Sequence, residues 1–151
     1  MFKSFMQRVH ITPYALTYTR WYLGLTVLTA FIFALLAWPG GIGTILIIIF
    51  AATAMAARRF VRDHARVPNV IEAQAYSWRA LLGAFLASLL ITVPIALFVL
   101  PAQETQEILD NFKSLEYVMV GLGVLALLAG AYYAVIRFGF AWSAKQFSQG
   151  R

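Results

Sequence analysis

Four stretches of the chain hold no Asp, Glu, Lys or Arg and are apolar almost throughout: Trp21 to Trp38, Gly41 to Ala57, Ala80 to Leu100 and Tyr117 to Ile136. Crossing a hydrocarbon core about 30 Å thick takes about 20 helical residues of this kind. The pattern therefore predicts transmembrane helices over 13–38, 41–57, 80–100 and 117–136, the first extended by Pro13 to Arg20. The second is short for a span, and Arg58 and Arg59 at its end are placed to snorkel to the membrane surface.

The segments between the spans carry weaker patterns. In the first dozen residues Phe2, Phe5, Met6 and Val9 follow helical spacing while Lys3, Gln7, Arg8 and His10 fall elsewhere. This predicts an interfacial helix over 1–12. Thr12 and Pro13 then read as the cap and first position of a new helix. Pro39-Gly40-Gly41 is a tight turn that makes the first two spans an antiparallel hairpin. Residues 58–79 form an Arg-rich loop and 137–151 a tail. The loop 101–116 reads as a short amphipathic surface helix, with Ile108, Leu109, Phe112 and Leu115 on one face and acids on the other.

Composition agrees with a bilayer. Of the 151 residues, 62% are hydrophobic and only 12% charged, against about 25% charged in an ordinary soluble domain. So few charges cannot cover so much apolar surface in water. The expected fold is all-α: one integral membrane domain over 1–151, with four transmembrane helices and short amphipathic interfacial helices. The absence of cysteine excludes disulfides, thiol redox chemistry and cysteine-ligated metals.

A net charge of +6 would ordinarily raise nucleic acid as a partner, but its distribution points elsewhere. Lys3, Arg8, Arg20, Arg58, Arg59, Arg62, Arg66, Arg79, Arg137, Lys145 and Arg151 all fall on one side of the predicted spans. Only Lys113 lies opposite, among Glu104, Glu107, Asp110 and Glu116. Basic residues collect on the cytoplasmic side of membrane proteins, so both termini and the Arg-rich loop are expected there and no nucleic-acid partner is. The first apolar run is too long for a signal peptide and lacks a small-residue cleavage site, which predicts an uncleaved first helix.

Several residues are candidates for more specific roles. Gly83 with Ala87, Ala84 with Ser88, and Ala126, Gly130 and Ala134 recur at intervals of four. Such rows let helices approach closely, within one chain or between chains, although small residues are also common in membrane helices generally. Pro94 frees the carbonyl of Leu90 and predicts a bend in the third span, read as static rather than as a gate. Arg59, Arg62, Asp63 and Arg66 share helical spacing if the second helix continues past the membrane. Asp63 then pairs with Arg59 or Arg66, Pro68 and Asn69 end the helix, and Glu72 caps or pairs nearby. Arg59, Arg62 and Arg66 are candidate contacts for anionic lipid headgroups or an acidic partner, with a pure topology signal as the plainer reading.

Neither His10 nor His64 has a partner at metal-ligand spacing, so no metal or cofactor is expected, nor a general base. Trp21, Tyr22, Trp38, Trp78, Tyr117 and Trp142 sit near span ends as an interfacial belt. No ionisable group lies inside a span for ion coupling, and the phosphate-loop, His-Glu-x-x-His and nucleophile-elbow patterns are absent. No catalytic residue is expected, and an enzyme is not the reading.

The run Arg59-Phe60-Val61-Arg62-Asp63-His64-Ala65-Arg66-Val67-Pro68, with Glu72 after it and Arg137-Phe138-Gly139-Phe140 near the end, resembles a family of small, functionally uncharacterised four-span inner-membrane proteins of Gram-negative bacteria. The resemblance implies a bacterial inner-membrane location and carries over no site residue. The function expected is that of a non-enzymatic membrane protein acting through helix contacts, as an accessory subunit or homo-oligomer. The alternatives are a small transporter or channel built from several copies, separable by liposome flux, and an immunity-type protein.

Overall fold

The computed structural model describes residues 10–36, 41–99 and 114–149, with residues 104, 106 and 110. The interfacial helix expected over 1–12 lies outside the described residues up to Val9, as do Pro39 and Gly40 of the first turn. The same holds for the surface helix of 101–116, apart from Glu104, Gln106, Asp110 and residues 114–116. Four helices are present among the described residues and no strand: α1 (Thr12–Leu36), α2 (Ile42–His64), α3 (Val70–Val99) and α4 (Leu115–Gln149). Each is long and apolar enough to cross a membrane.

Around the bundle each helix has two principal neighbours: α1 packs on α2 and α3, and α4 packs on α2 and α3, most extensively on α2. The first turn of α1 closes on Ile11, whose carbonyl accepts the amides of Tyr14 and Ala15 at 3.1 and 3.2 Å. Pro94 lies inside α3 without ending it.

The helices run past the apolar stretches that announce them. Most of the expected loop 58–79 is helical, because α2 continues to His64 and α3 starts at Val70, leaving only residues 65–69 as the connection. Likewise α4 continues through most of the expected tail, to Gln149. A charge marks where hydrocarbon ends; it does not break the backbone hydrogen bonding, and neighbouring helices bury one face of each extension.

The 65–69 connection is held at both ends. Ala65 closes α2 in the left-handed conformation at φ 51°, its amide donating to the Val61 carbonyl at 2.8 Å. Asn69 caps α3: its Oδ1 accepts the Glu72 amide at 2.8 Å while Glu72 Oε2 accepts the Asn69 amide at 2.9 Å, a reciprocal capping box. Arg66 then forks onto the same carboxylate, Nη1 to Oε2 at 2.8 Å and Nη2 to Oε1 at 2.6 Å, with its guanidinium carbon 5.6 Å from the Phe60 ring centroid. One carboxylate thus fastens the end of α2 to the start of α3.

This fork has a signed pH consequence. The Arg66 hydrogen bonds, foremost, and the Asn69 amide hold the Glu72 carboxyl below its ordinary range, and the same pairing raises Arg66. A depressed carboxylate pKa contributes stability that is complete above the unfolded value of about 4.3 and is lost as pH falls through the folded value. Glu72→Gln is expected to lower stability at pH 7 by about 2 kcal/mol, the scale of a lost charged hydrogen-bond pair. It should also shrink the drop in thermal midpoint between pH 5 and pH 3. An unchanged drop in the variant would assign the acid sensitivity to other carboxylates.

Packing is concentrated at one end, where α1 begins, α2 meets α3 and α4 finishes. Ile11, just before α1, and Tyr14, Ala15, Tyr18 and Tyr22 of α1 are buried there. So are Ala52, Ala56, Ala57, Phe60 and Val61 of α2, Ala73, Tyr76, Ala80 and Ala84 of α3, and Ile136, Phe140 and Ala144 of α4. Aromatic rings from all four helices link up inside it. Tyr18 meets Tyr76 edge-on at 6.3 Å, Tyr76 stacks on Phe140 at 3.8 Å, Phe140 meets Phe60 edge-on at 5.8 Å, and Phe60 meets Tyr14 at 5.2 Å. Among the described residues the buried hydroxyls of Tyr18 and Ser143 have no hydrogen-bond partner in this core. At the opposite end α4 is exposed along nearly all of residues 115–131.

Candidate functional site

Two features of the bundle are available to act on something else: an arginine-lined pocket at the basic, well-packed end, and the outward face of α4 at the other.

The pocket forms where α2 leaves its apolar run. Residues Arg58 and Arg62 are one helical turn apart, so both point to one side of α2, with Arg59 beside them. Thr17 and Trp21 of α1 and Phe147 of α4 supply the facing walls, and Met55 and Val61 the floor, around a cavity of about 630 Å³. The lining is divided between guanidinium groups and apolar surface.

Arg59 is fixed in place by α1. Its Nη1 donates to Thr17 Oγ1 at 2.7 Å, and Thr17 in turn donates to the Pro13 carbonyl at 2.9 Å. Arg59 Nε is 3.8 Å from Asp63 Oδ2, an ion pair beyond hydrogen-bond reach, so this buried donor has no hydrogen-bond partner among the described residues. Arg62 Nε reaches Asp63 Oδ1 at 3.4 Å. Arg58 is exposed and has no hydrogen bond or ion pair among the described residues. Of the three cations, two therefore share the Asp63 carboxylate and the third stands apart from it.

The sequence-derived trio of Arg59, Arg62 and Arg66 is thus divided. Arg59 and Arg62 line the pocket, whereas Arg66 is spent on Glu72 beyond the end of α2. Asp63 pairs with Arg59 and Arg62 rather than with Arg66. Arg58, which helical spacing from Arg66 did not single out, takes the third place; its i,i+4 relation to Arg62 was the signal that could have found it. His64 stacks on Phe60 at 4.7 Å and lies 3.3 Å from the Tyr14 hydroxyl. Among the described residues no group of three His, Asp or Glu side chains is placed to hold a metal.

The belt residues Trp21, Trp78, Tyr117 and Trp142 are exposed, and Trp38 lies outside the described residues. Tyr22 is buried, its hydroxyl 3.1 Å from Ser88 Oγ.

The small-residue rows separate as well. Gly83 and Ala87 face α1: a Cβ on Gly83 would collide with the Thr19 hydroxyl, and Ala87 is buried. On α4 the row points outward. Ala126 is exposed, Ala134 is half-buried, and a Cβ on Gly130 would meet nothing within 4 Å. Gly121 and Gly123 are equally open. The close contacts that α4 makes within the chain come later, at Gly139, against Phe50 and Thr53 of α2. Between α3 and α4 an apolar groove of about 350 Å³, walled by Trp78, Phe85, Leu128 and Tyr132, opens to the bundle surface.

No protein-family model, no curated protein and no solved structure matches this chain.

Proposed function

We propose that this four-helix membrane protein acts without catalysis, by docking its outer helical surface on other transmembrane helices, as a homo-oligomer or as an accessory subunit of a membrane complex. The observation that carries this reading is the outward face of α4. Gly121, Gly123, Ala126 and Gly130 lie on a stretch that touches almost nothing among the described residues. Lipid does not drive helices together, so a helix that only faces lipid gains nothing from small residues, whereas one that meets another helix gains close backbone approach.

Because Gly130 opens on empty space, Gly130→Leu leaves the isolated bundle intact and acts only on contacts between molecules. Energy transfer between differently labelled copies in liposomes, with co-purification from native membranes for a foreign partner, is the measurement. Association is expected to fall at least tenfold in Gly130→Leu, with an unchanged thermal midpoint in detergent. Wild-type copies that neither associate nor retain a membrane protein in a manner dependent on Gly130 would end the proposal.

The bacterial inner membrane is the proposed location, with both termini in the cytoplasm, supported by the family resemblance around residues 59–68 and by the one-sided placement of Arg and Lys. A cysteine at Gln106 should then react with an impermeant thiol reagent in intact cells and one at Ser148 should not. The reverse labelling would invert the topology.

A further inference from the structure

The geometry points to a binding site for the phosphodiester headgroup of one anionic membrane phospholipid in the pocket formed by Arg58, Arg59, Arg62 and Trp21. The inference stands apart from any association between helices.

Several independent features converge on this ligand. The first is charge: three arginines and no carboxylate line the cavity, Asp63 pairs with two of them from outside its lining, and Arg58 has no partner of its own among the described residues. The second is preorganisation. Arg59 Nη1 is anchored on Thr17 Oγ1 at 2.7 Å, so little side-chain freedom remains to be lost on binding.

Position distinguishes a lipid from a soluble anion. Arg58 and Arg59 directly follow the uncharged run Gly41 to Ala57, which puts the pocket at the depth where hydrocarbon gives way to headgroups. Trp21 is 43% exposed beside it, as expected for an indole at that boundary. Met55 and Phe147 complete an apolar wall next to the cations. A soluble phosphate has no use for that wall. A phospholipid presents its phosphate to the arginines and its glycerol and first acyl carbons to Trp21, Met55 and Phe147.

The test uses the full chain in nanodiscs of phosphatidylglycerol and phosphatidylcholine in equal amounts, with retained lipid read by native mass spectrometry after release into detergent. Wild-type protein is expected to retain phosphatidylglycerol in preference. Arg58→Gln with Arg62→Gln should weaken that retention about thirtyfold, each basic residue near an anionic surface contributing about five- to sixfold. Arg58→Gln alone, at a side chain that makes no hydrogen bond or ion pair among the described residues, gives the same direction with a smaller loss and guards against misfolding of the double variant. Arg137→Gln, equally basic but not lining the pocket, should leave retention unchanged. Equal loss in Arg137→Gln would reduce the effect to bulk surface charge and overturn the site. So would retention unaltered by the Arg58 and Arg62 changes. A soluble arm with glycerol phosphate separates the two sources of phosphate: displacement of the lipid by millimolar glycerol phosphate would overturn the assignment to lipid.

Discussion

Phe140→Ala is expected to lower stability in detergent by about 4 kcal/mol, within the range for removing a buried phenyl ring. Phe140 is fully buried and stands at the centre of the aromatic chain, stacked on Tyr76 at 3.8 Å and meeting Phe60 edge-on at 5.8 Å. Its loss leaves a void where α2, α3 and α4 converge, and each aromatic pair contributes about 0.5–1.5 kcal/mol beyond the area it buries. The residue lies one helical turn past the uncharged run that ends at Ile136. Phe138, two positions away and 74% exposed, is the control: Phe138→Ala should stay within about 0.5 kcal/mol. Reversible unfolding in mixed micelles measures both. Comparable losses at the two positions would mean that the bundle is not held together at this end.

The location of this core explains what the sequence showed and what it withheld. The spans were legible because hydrocarbon tolerates no charge, so four uncharged runs between charged residues mark four crossings. Inside such a run, however, the face toward lipid and the face toward a neighbouring helix are both apolar, and periodicity loses its meaning. Nothing in the run Tyr117 to Ile136 distinguishes its outward Gly130 from the inward Gly83 of α3. The core residues Phe60, Tyr76 and Phe140 were hidden for a different reason. They lie in segments that charge had marked as loop and tail, although the spacing of Ile136, Phe140 and Ala144 by four is that of a helix with one buried stripe.

The pocket was legible in part. Helical spacing groups Arg59 and Arg62, which line one cavity beside a continuing α2, but it extends the same rule to Arg66. Ala65 ends the helix in a left-handed turn, so the helical register no longer holds one residue later. Arg66 pairs across the connection with Glu72, six positions on. Spacing along a helix cannot predict a contact made by leaving it.

The same distinction between inward and outward glycines sets the second large effect. Gly83→Leu is expected to destabilise the bundle by about 3 kcal/mol, at the upper end of the usual cost of overpacking, where Gly130→Leu leaves it unchanged. A Cβ on Gly83 would collide with the Thr19 hydroxyl and stand 3.3 Å from Thr19 Cβ. The hydroxyl is not free to swing away without cost, since it donates to the Ala15 carbonyl at 3.0 Å. Relief must then come from separating α1 from α3, which strains the contact of Tyr22 with Ser88 at 3.1 Å and the bond from Arg79 to Thr12 at 2.7 Å. Two smaller changes locate the strain. Gly83→Ala alone should cost about 1–2 kcal/mol, and in a Thr19→Ala background most of that should disappear, because the colliding oxygen is gone. A coupling of at least about 1 kcal/mol in this double-mutant cycle, measured by unfolding in mixed micelles, is the expected result. Additive costs would show that α1 and α3 do not approach one another at these two residues.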